Sequence, residues 1–127
     1  MSKPLGLRTV VYRVPGKELE KARAWYTNAF STVPYFNEPF YVGFNIGGYE
    51  LGLQPEEQDQ DGVRGSNSVT YWGVEDIQVS YDHFINLGAR VHEEPHSVGG
   101  PLLVGSVWDP WGNLIGLIYN PEFKISP

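Results

Sequence analysis

The phrase Gly48-Tyr49-Glu50-Leu51-Gly52-Leu53 returns near the end of the chain as Gly112-Asn113-Leu114-Ile115-Gly116-Leu117. Phe44 precedes the first copy at the same interval at which Trp108 precedes the second. Upstream, the apolar stripe that begins with Leu19 and Tyr26 is matched by one that begins with Ile77 and Phe84. Chance supplies one such match, but two helices and a hairpin in the same order argue for duplication. A chain of 127 residues fits one globular domain. The repeat therefore constrains the fold to a single domain, 1–127, made of two similar halves.

Each half reads as strand, helix and then further strands. Leu7 to Val14 is β-branched and apolar, and Pro15-Gly16 ends it. Leu19, Ala22, Tyr26, Ala29 and Phe30 recur at helical spacing, with Trp25 widening the stripe. An aromatic stretch opens at Tyr35-Phe36, and Phe40 to Phe44 and Tyr49 to Gln54 read as a hairpin. Gly47-Gly48 supplies the positive φ angles of its tight turn. Residues 55–67 are charged, glycine-containing and nearly free of apolar side chains, the composition of a linker. The order then recurs: a strand over Ser68 to Val74, and a helix capped by Asp76 and closed by Gly88. Strands follow at Arg90 to Glu93, Leu102 to Trp108 and Leu114 to Tyr119. Module one thus spans about 6–54 and module two about 68–121. The expected class is α+β, with two βαβββ modules. A helix covers only one face of each module's sheet, so the other faces are expected to curve into a half-barrel around a ligand cleft.

Composition narrows the function. The hydrophobic share of 41% supports a real core, and the aromatic share of 14% is generous. No cysteine is present, which removes disulfides, thiolate metal sites and thiol nucleophiles. A formal net charge of −6 disfavours nucleic-acid backbones. The apolar runs are too short to cross a bilayer, and the first residues lack the stretch of a signal peptide. A cytoplasmic protein without membrane or nucleic-acid partners is expected. No serine has nucleophile-elbow context and no glycine loop ends in Lys-Ser/Thr.

The first strand leading into the Trp25-Tyr26 helix, the Gly-Gly-Tyr-Glu-Leu-Gly-Leu phrase and the Asp109-Pro110-Trp111-Gly112-Asn113 turn resemble the glyoxalase/bleomycin-resistance/extradiol-dioxygenase (vicinal oxygen chelate, VOC) superfamily over roughly residues 7 to 121. The resemblance implies the glyoxalase fold, small-molecule binding and a homodimer. It does not choose among isomerases, dioxygenases, lyases and drug-sequestering proteins. Metal-dependent relatives take one ligand from the first and one from the last strand of each module, and those positions fall on Thr9, Gly52, Val69 and Gly116. Glycine and valine have no donor atoms and a threonine hydroxyl is a poor ligand. No cofactor is therefore expected, with a divalent metal as the alternative. Glu50 is the one nearby carboxylate and the one candidate catalytic residue. Glycine at the ligand positions is expected to leave open space.

Alternation puts Thr9, Val11 and Arg13 on one face, with Glu50, Gly52 and Gln54 and, in module two, Val69, Tyr71, Gly73, Gly116 and Ile118. Arg13, Phe40, Phe44, Glu50, Gln54, Tyr71, Trp108 and Trp111 are the expected ligand-binding residues, the aromatics stacking on a planar guest. The plainer alternatives are ordinary core for the aromatics and, for Arg13, solvent or a pair with Glu18 or Glu20. His92-Glu93-Glu94-Pro95-His96 is the one cluster of metal-ligand types, and a polar strand end entering a Pro turn explains it as well. His83 reads as a surface residue. Two readings follow. One is a metal-independent binder, similar to the bleomycin-resistance branch, that sequesters an aromatic or drug-like compound in the cleft between the modules. The other is a glyoxalase-like lyase, isomerase or dioxygenase holding a metal through Glu50 or the His92/His96 segment. A non-catalytic protein whose ligand only regulates it is the third.

Overall fold

The structure is a computed structural model that describes residues 7–56 and 69–122. The chain divides into two compact units, Met1–Gln60 and Asp61–Pro127. In the first, β1 (Thr9–Pro15) leads through a 3-10 turn (Gly16–Glu18) into α1 (Leu19–Ala29), followed by β2 (Phe36–Glu38), β3 (Tyr41–Ile46) and β4 (Tyr49–Glu56). The sheet order is β1-β4-β3-β2, with β1 parallel to β4 and the other neighbours antiparallel. In the second, β5 (Tyr71–Gly73), α2 (Ile77–Asn86), β6 (Arg90–Gly99), β7 (Leu102–Trp108) and β8 (Leu114–Tyr119) repeat the plan in the order β5-β8-β7-β6. Again the first strand is parallel to the last. Two four-stranded mixed sheets with one α-helix each make an α+β fold.

Strand alternation decides which residues form the core. Tyr12, Val14, Val42, Phe44, Leu51 and Leu53 lie on one face of the first sheet and are buried. The α1 stripe Leu19, Ala22, Tyr26 and Ala29 is buried as well. Tyr26 stacks on Tyr12 at 5.8 Å and on Phe30 at 5.8 Å. The second core joins Ile77, Tyr81 and Phe84 of α2 to Trp72, Val107, Ile115 and Leu117. Burial of such side chains contributes roughly 1.5–3 kcal/mol each and accounts for the apolar period in both helices. Asp76 caps α2 by accepting a hydrogen bond from the Val79 N–H at 3.1 Å.

Three boundaries differ from expectation. β4 runs on through Pro55 and Glu56, which sequence composition assigns to the linker; residues 57–67 lie outside the described residues. β5 is shorter than the Ser68–Val74 stretch because only Tyr71–Gly73 pair with β8. β6 continues past Glu93 to Gly99, through Pro95. A proline with no N–H to donate is tolerated there because β6 is an edge strand with register shifts between Val91 and Glu93, Glu93 and His96, and Ser97 and Gly99.

The duplication also has a one-residue offset that the sequence match hides. Phe44 pairs with Leu51 in the first hairpin, whereas Ile115, the counterpart of Leu51, pairs with Val107. The Asp109–Asn113 turn is one residue longer than its counterpart, so the structural equivalent of Phe44 is Val107, and both are fully buried. Trp108 corresponds instead to Asn45, on the opposite face.

Candidate functional site

The sheet face that α1 leaves uncovered carries the polar and exposed residues of module one. On β1 these are Thr9, Val11 and Arg13, which pair with Glu50, Gly52 and Gln54 of β4. Gly43 of β3 lies opposite Gly52 and also opposite Phe36 of β2. Four rings gather here: Phe36 lies 6.5 Å from Tyr35, 5.9 Å from Phe40 and 6.2 Å from Tyr41. Tyr35 and Phe40 are 65% and 64% exposed, far from the burial of core aromatics.

Glu50 is the polar centre of this face. Its Oε1 accepts a hydrogen bond from the Thr9 hydroxyl at 3.0 Å, and its Oε2 accepts one from the Tyr35 hydroxyl. The Tyr41 hydroxyl hydrogen-bonds the same carboxylate. These donors, Tyr35 first, hold the carboxyl below the ordinary carboxylate range, against the opposing effect of partial burial. The phenols respond in the reverse sense. The Tyr35 hydroxyl is raised, chiefly by its hydrogen bond to Glu50. The Tyr41 hydroxyl is pushed up to about 12, first by burial and then by Glu50. The proton thus stays on the phenols and the charge on Glu50.

Glycine makes this arrangement possible. A Cβ on Gly52 would overlap the Tyr41 hydroxyl and lie 2.9 Å from Cε1 of its ring. A Cβ on Gly43 would fall 2.8 Å from Glu50 Oε2 and 3.1 Å from Tyr35 Cε1. In module two a Cβ on Gly116 would meet Tyr71 Cδ1 at 2.7 Å. The two glycines at the expected ligand positions therefore do not leave open space; in each module a tyrosine ring lies across the glycine. Sequence reasoning missed Tyr35 and Tyr41. The signal that could have found them is two glycines in paired strands near two tyrosines, since a missing Cβ invites a ring to pack on the backbone.

The remaining expected site residues separate. Phe44, expected to line the ligand face, is fully buried on the other one, opposite Leu51. Arg13 shares the face of Glu50, but its Nη1 lies 4.0 Å from Glu56, a different partner from Glu18 or Glu20. Gln54 is exposed at the β4 end of that face. In module two Tyr71 is 44% exposed beside Gly116. Trp108 meets the His92 ring edge-on at 5.1 Å. Trp111 sits in the turn whose fully buried Asp109 accepts hydrogen bonds from the Trp111 N–H at 2.9 Å, the Asn113 N–H at 2.7 Å and the Asn113 side chain at 2.9 Å.

The family's metal does not fit these residues. Thr9 donates to Glu50, Gly52 and Gly116 lie under rings, and Val69 has no donor. The histidine cluster does not converge either. His92 Nδ1 meets the Ser106 hydroxyl at 2.7 Å, whereas His96 Nδ1 meets the Glu94 carbonyl at 2.8 Å and its Nε2 lies 3.7 Å from Glu93. Among the described residues no group of three or more His, Cys, Asp or Glu side chains is arranged to hold a metal ion. Likewise among them, no helix is long and apolar enough to cross a membrane.

Comparison with known proteins agrees with this architecture. No curated protein matches the sequence. Among solved structures, a glyoxalase-related enzyme from Fulvimarina pelagi is similar, with a TM-score of 0.76 and 17% identity over 97% of this chain and 94% of that one. Lactoylglutathione lyase from Agrobacterium tumefaciens gives 0.72 and 18%, covering 96% of this chain and 100% of that one. A mutant of the genomically encoded fosfomycin resistance protein of Listeria monocytogenes, complexed with Mn(II) and a dihydroxypropylphosphonic acid, gives 0.75 and 18%, covering 94% of each chain. At such identities the likeness is one of fold. The sequence pattern of a known family matches residues 8–117, nearly the whole of the two repeats. On that match, the chain belongs to the Glyoxalase/Bleomycin resistance protein/Dioxygenase superfamily.

Proposed function

We propose that the protein binds a planar, aromatic small molecule without a metal ion, on the uncovered sheet face of module one. The observation that carries this reading is the exchange of a metal ligand for a ring. Where a relative's metal-binding side chain would leave β4, Gly52 has none and Tyr41 lies over it. The face then offers the rings of Tyr35, Phe36, Phe40 and Tyr41 beside one carboxylate. Exposed, clustered aromatic rings are a poor surface in water and a good one for a flat guest. Gln54 and Arg13, on the same sheet face, are the candidate polar contacts. A homodimer, which the family resemblance implies, belongs to the same reading. A glyoxalase-like reaction through a metal gains nothing from the placement of Glu50, whose oxygens both accept hydroxyl protons.

The test is a fluorescence titration of the intact protein with the neutral aromatic probe N-phenyl-1-naphthylamine in the presence of a chelator. The reading expects saturable binding that the chelator leaves unchanged. Phe36→Ala should weaken it by roughly two- to tenfold, the worth of one aromatic contact of about 0.5–1.5 kcal/mol. Binding that fails to saturate, or that the chelator abolishes, would count against it.

A further inference from the structure

The hydroxyl protons around Glu50 all point at the same acceptor, and that fixes what the cluster can offer a guest. A hydroxyl carries one proton and two lone pairs, and a carboxylate has about four acceptor directions. Thr9 and Tyr35 give their protons to Glu50, and Tyr41 adds its own hydrogen bond to the same carboxylate. What remains on the outside is acceptor only: the free lone pairs of three hydroxyl oxygens and the unfilled directions of the carboxylate. An incoming carboxylate, phosphonate or carbonyl would meet lone pairs and a negative charge. An incoming ammonium group would meet partners for its protons.

Among the described residues, Arg8 is next to Thr9 in the chain, but alternation puts it on the other face and its Nη1 donates to the Leu7 carbonyl at 3.1 Å. Arg13 lies on the face of Thr9, but four residues along β1 from it, roughly 13 Å at strand rise and beyond a Debye length at physiological salt. It also pairs with Glu56. The equivalent of Glu50 in module two is Leu114, so module two does not repeat the negative centre. Aromatic faces beside a carboxylate add attraction for a cation through their quadrupoles, and the four rings lie on this side of the sheet.

We infer that the guest of this face is a cationic aromatic amine, its ring on Phe36 and Tyr41 and its ammonium group on the Glu50–Tyr35–Thr9 acceptor cluster. This rests on the proposed binding function and adds the sign of the guest's charge and its hydrogen-bonding sense.

Three probes of similar size and different charge decide it: 2-phenylethylamine, 2-phenylethanol and 3-phenylpropanoate. Each competes against N-phenyl-1-naphthylamine on the intact protein near neutral pH with chelator present. The amine should bind roughly tenfold more tightly than the alcohol, the scale of one charge-assisted hydrogen bond on a partly exposed face, and the acid should bind least. Glu50→Gln should bring the amine-to-alcohol ratio close to one. Because that variant alters the hydroxyl network, Tyr35→Phe is the second arm. It keeps the ring and frees one acceptor direction on Glu50, so the amine preference should hold or grow. An acid or alcohol that binds as well as the amine, or a preference that survives Glu50→Gln, overturns the inference and leaves the binding reading intact. If none of the three displaces the bound probe at millimolar concentration, the inference likewise falls, while the saturable binding of the probe itself keeps the binding reading.

Discussion

At Gly52 the backbone of β4 carries no side chain because the Tyr41 ring and hydroxyl occupy that volume. Gly52→Ala should destabilise the protein by about 1–3 kcal/mol, the usual cost of overpacking, since the ring must leave its place. Adding Tyr41→Ala should remove the clash, so the double variant should lose less stability than the sum of the single ones, as urea unfolding would show. Gly73, with no neighbour within 4 Å of its would-be Cβ, is the control. Glu50 gives the second residue-scale expectation. Its carboxyl titrates below its ordinary value of 4.5 in the folded chain, so its network stabilises the fold above that value. The contribution disappears as pH falls through the lowered folded value. Tyr35 and Tyr41 act in the opposite sense: their raised hydroxyls contribute fully below pH 10 and lose that contribution as pH rises, for Tyr41 toward about 12. Glu50→Gln should therefore flatten the stability profile below pH 4.5 and lower the Tyr41 absorbance titration only part of the way from about 12, since burial, the larger cause, remains.

At the scale of elements, local chemistry accounts for most of what the sequence revealed. The helix over Ile77–Asn86 begins where Asp76 can cap it, and Asp76→Ala should cost about 1 kcal/mol. The Asp109 turn is held more firmly, by one buried carboxylate that accepts three N–H hydrogen bonds. Asp109→Ala should cost about 2–4 kcal/mol in thermal unfolding, because it strands donors that the turn keeps from water. What stayed hidden depended on distant pairing. Phe44 and Trp108 match by eye, yet the longer Asp109 turn places them on opposite faces, and only strand register shows this. Pro95 suggested a turn because a proline breaks central strands. Its place on an edge strand depends on which neighbours the strand finds, and the local sequence does not carry that.

For the molecule as a whole, duplication made the α+β architecture legible, since each half repeats the order of elements and the helical stripes. The identity of the site was less so. Alternation placed Thr9, Glu50 and Gly52 on the uncovered face, and residue type alone gave the expectation of poor or missing metal ligands at Thr9, Gly52, Val69 and Gly116. The tyrosines that lie over Gly52 and Gly116, Tyr41 and Tyr71, come from neighbouring strands, and their rings reach the glycines only once the sheets have formed. In the proposed function, this member of the superfamily recognises its ligand through rings and a carboxylate instead of a metal. Thermal unfolding of metal-stripped protein against nickel, zinc, manganese and ferrous ions, each with a chelator control, tests it most directly. Specific binding would stabilise the folded state by about 2.7 kcal/mol at a hundredfold excess over the dissociation constant. No chelator-reversible shift is expected with any of the four, and a large reversible shift with one of them would overturn metal-independent recognition.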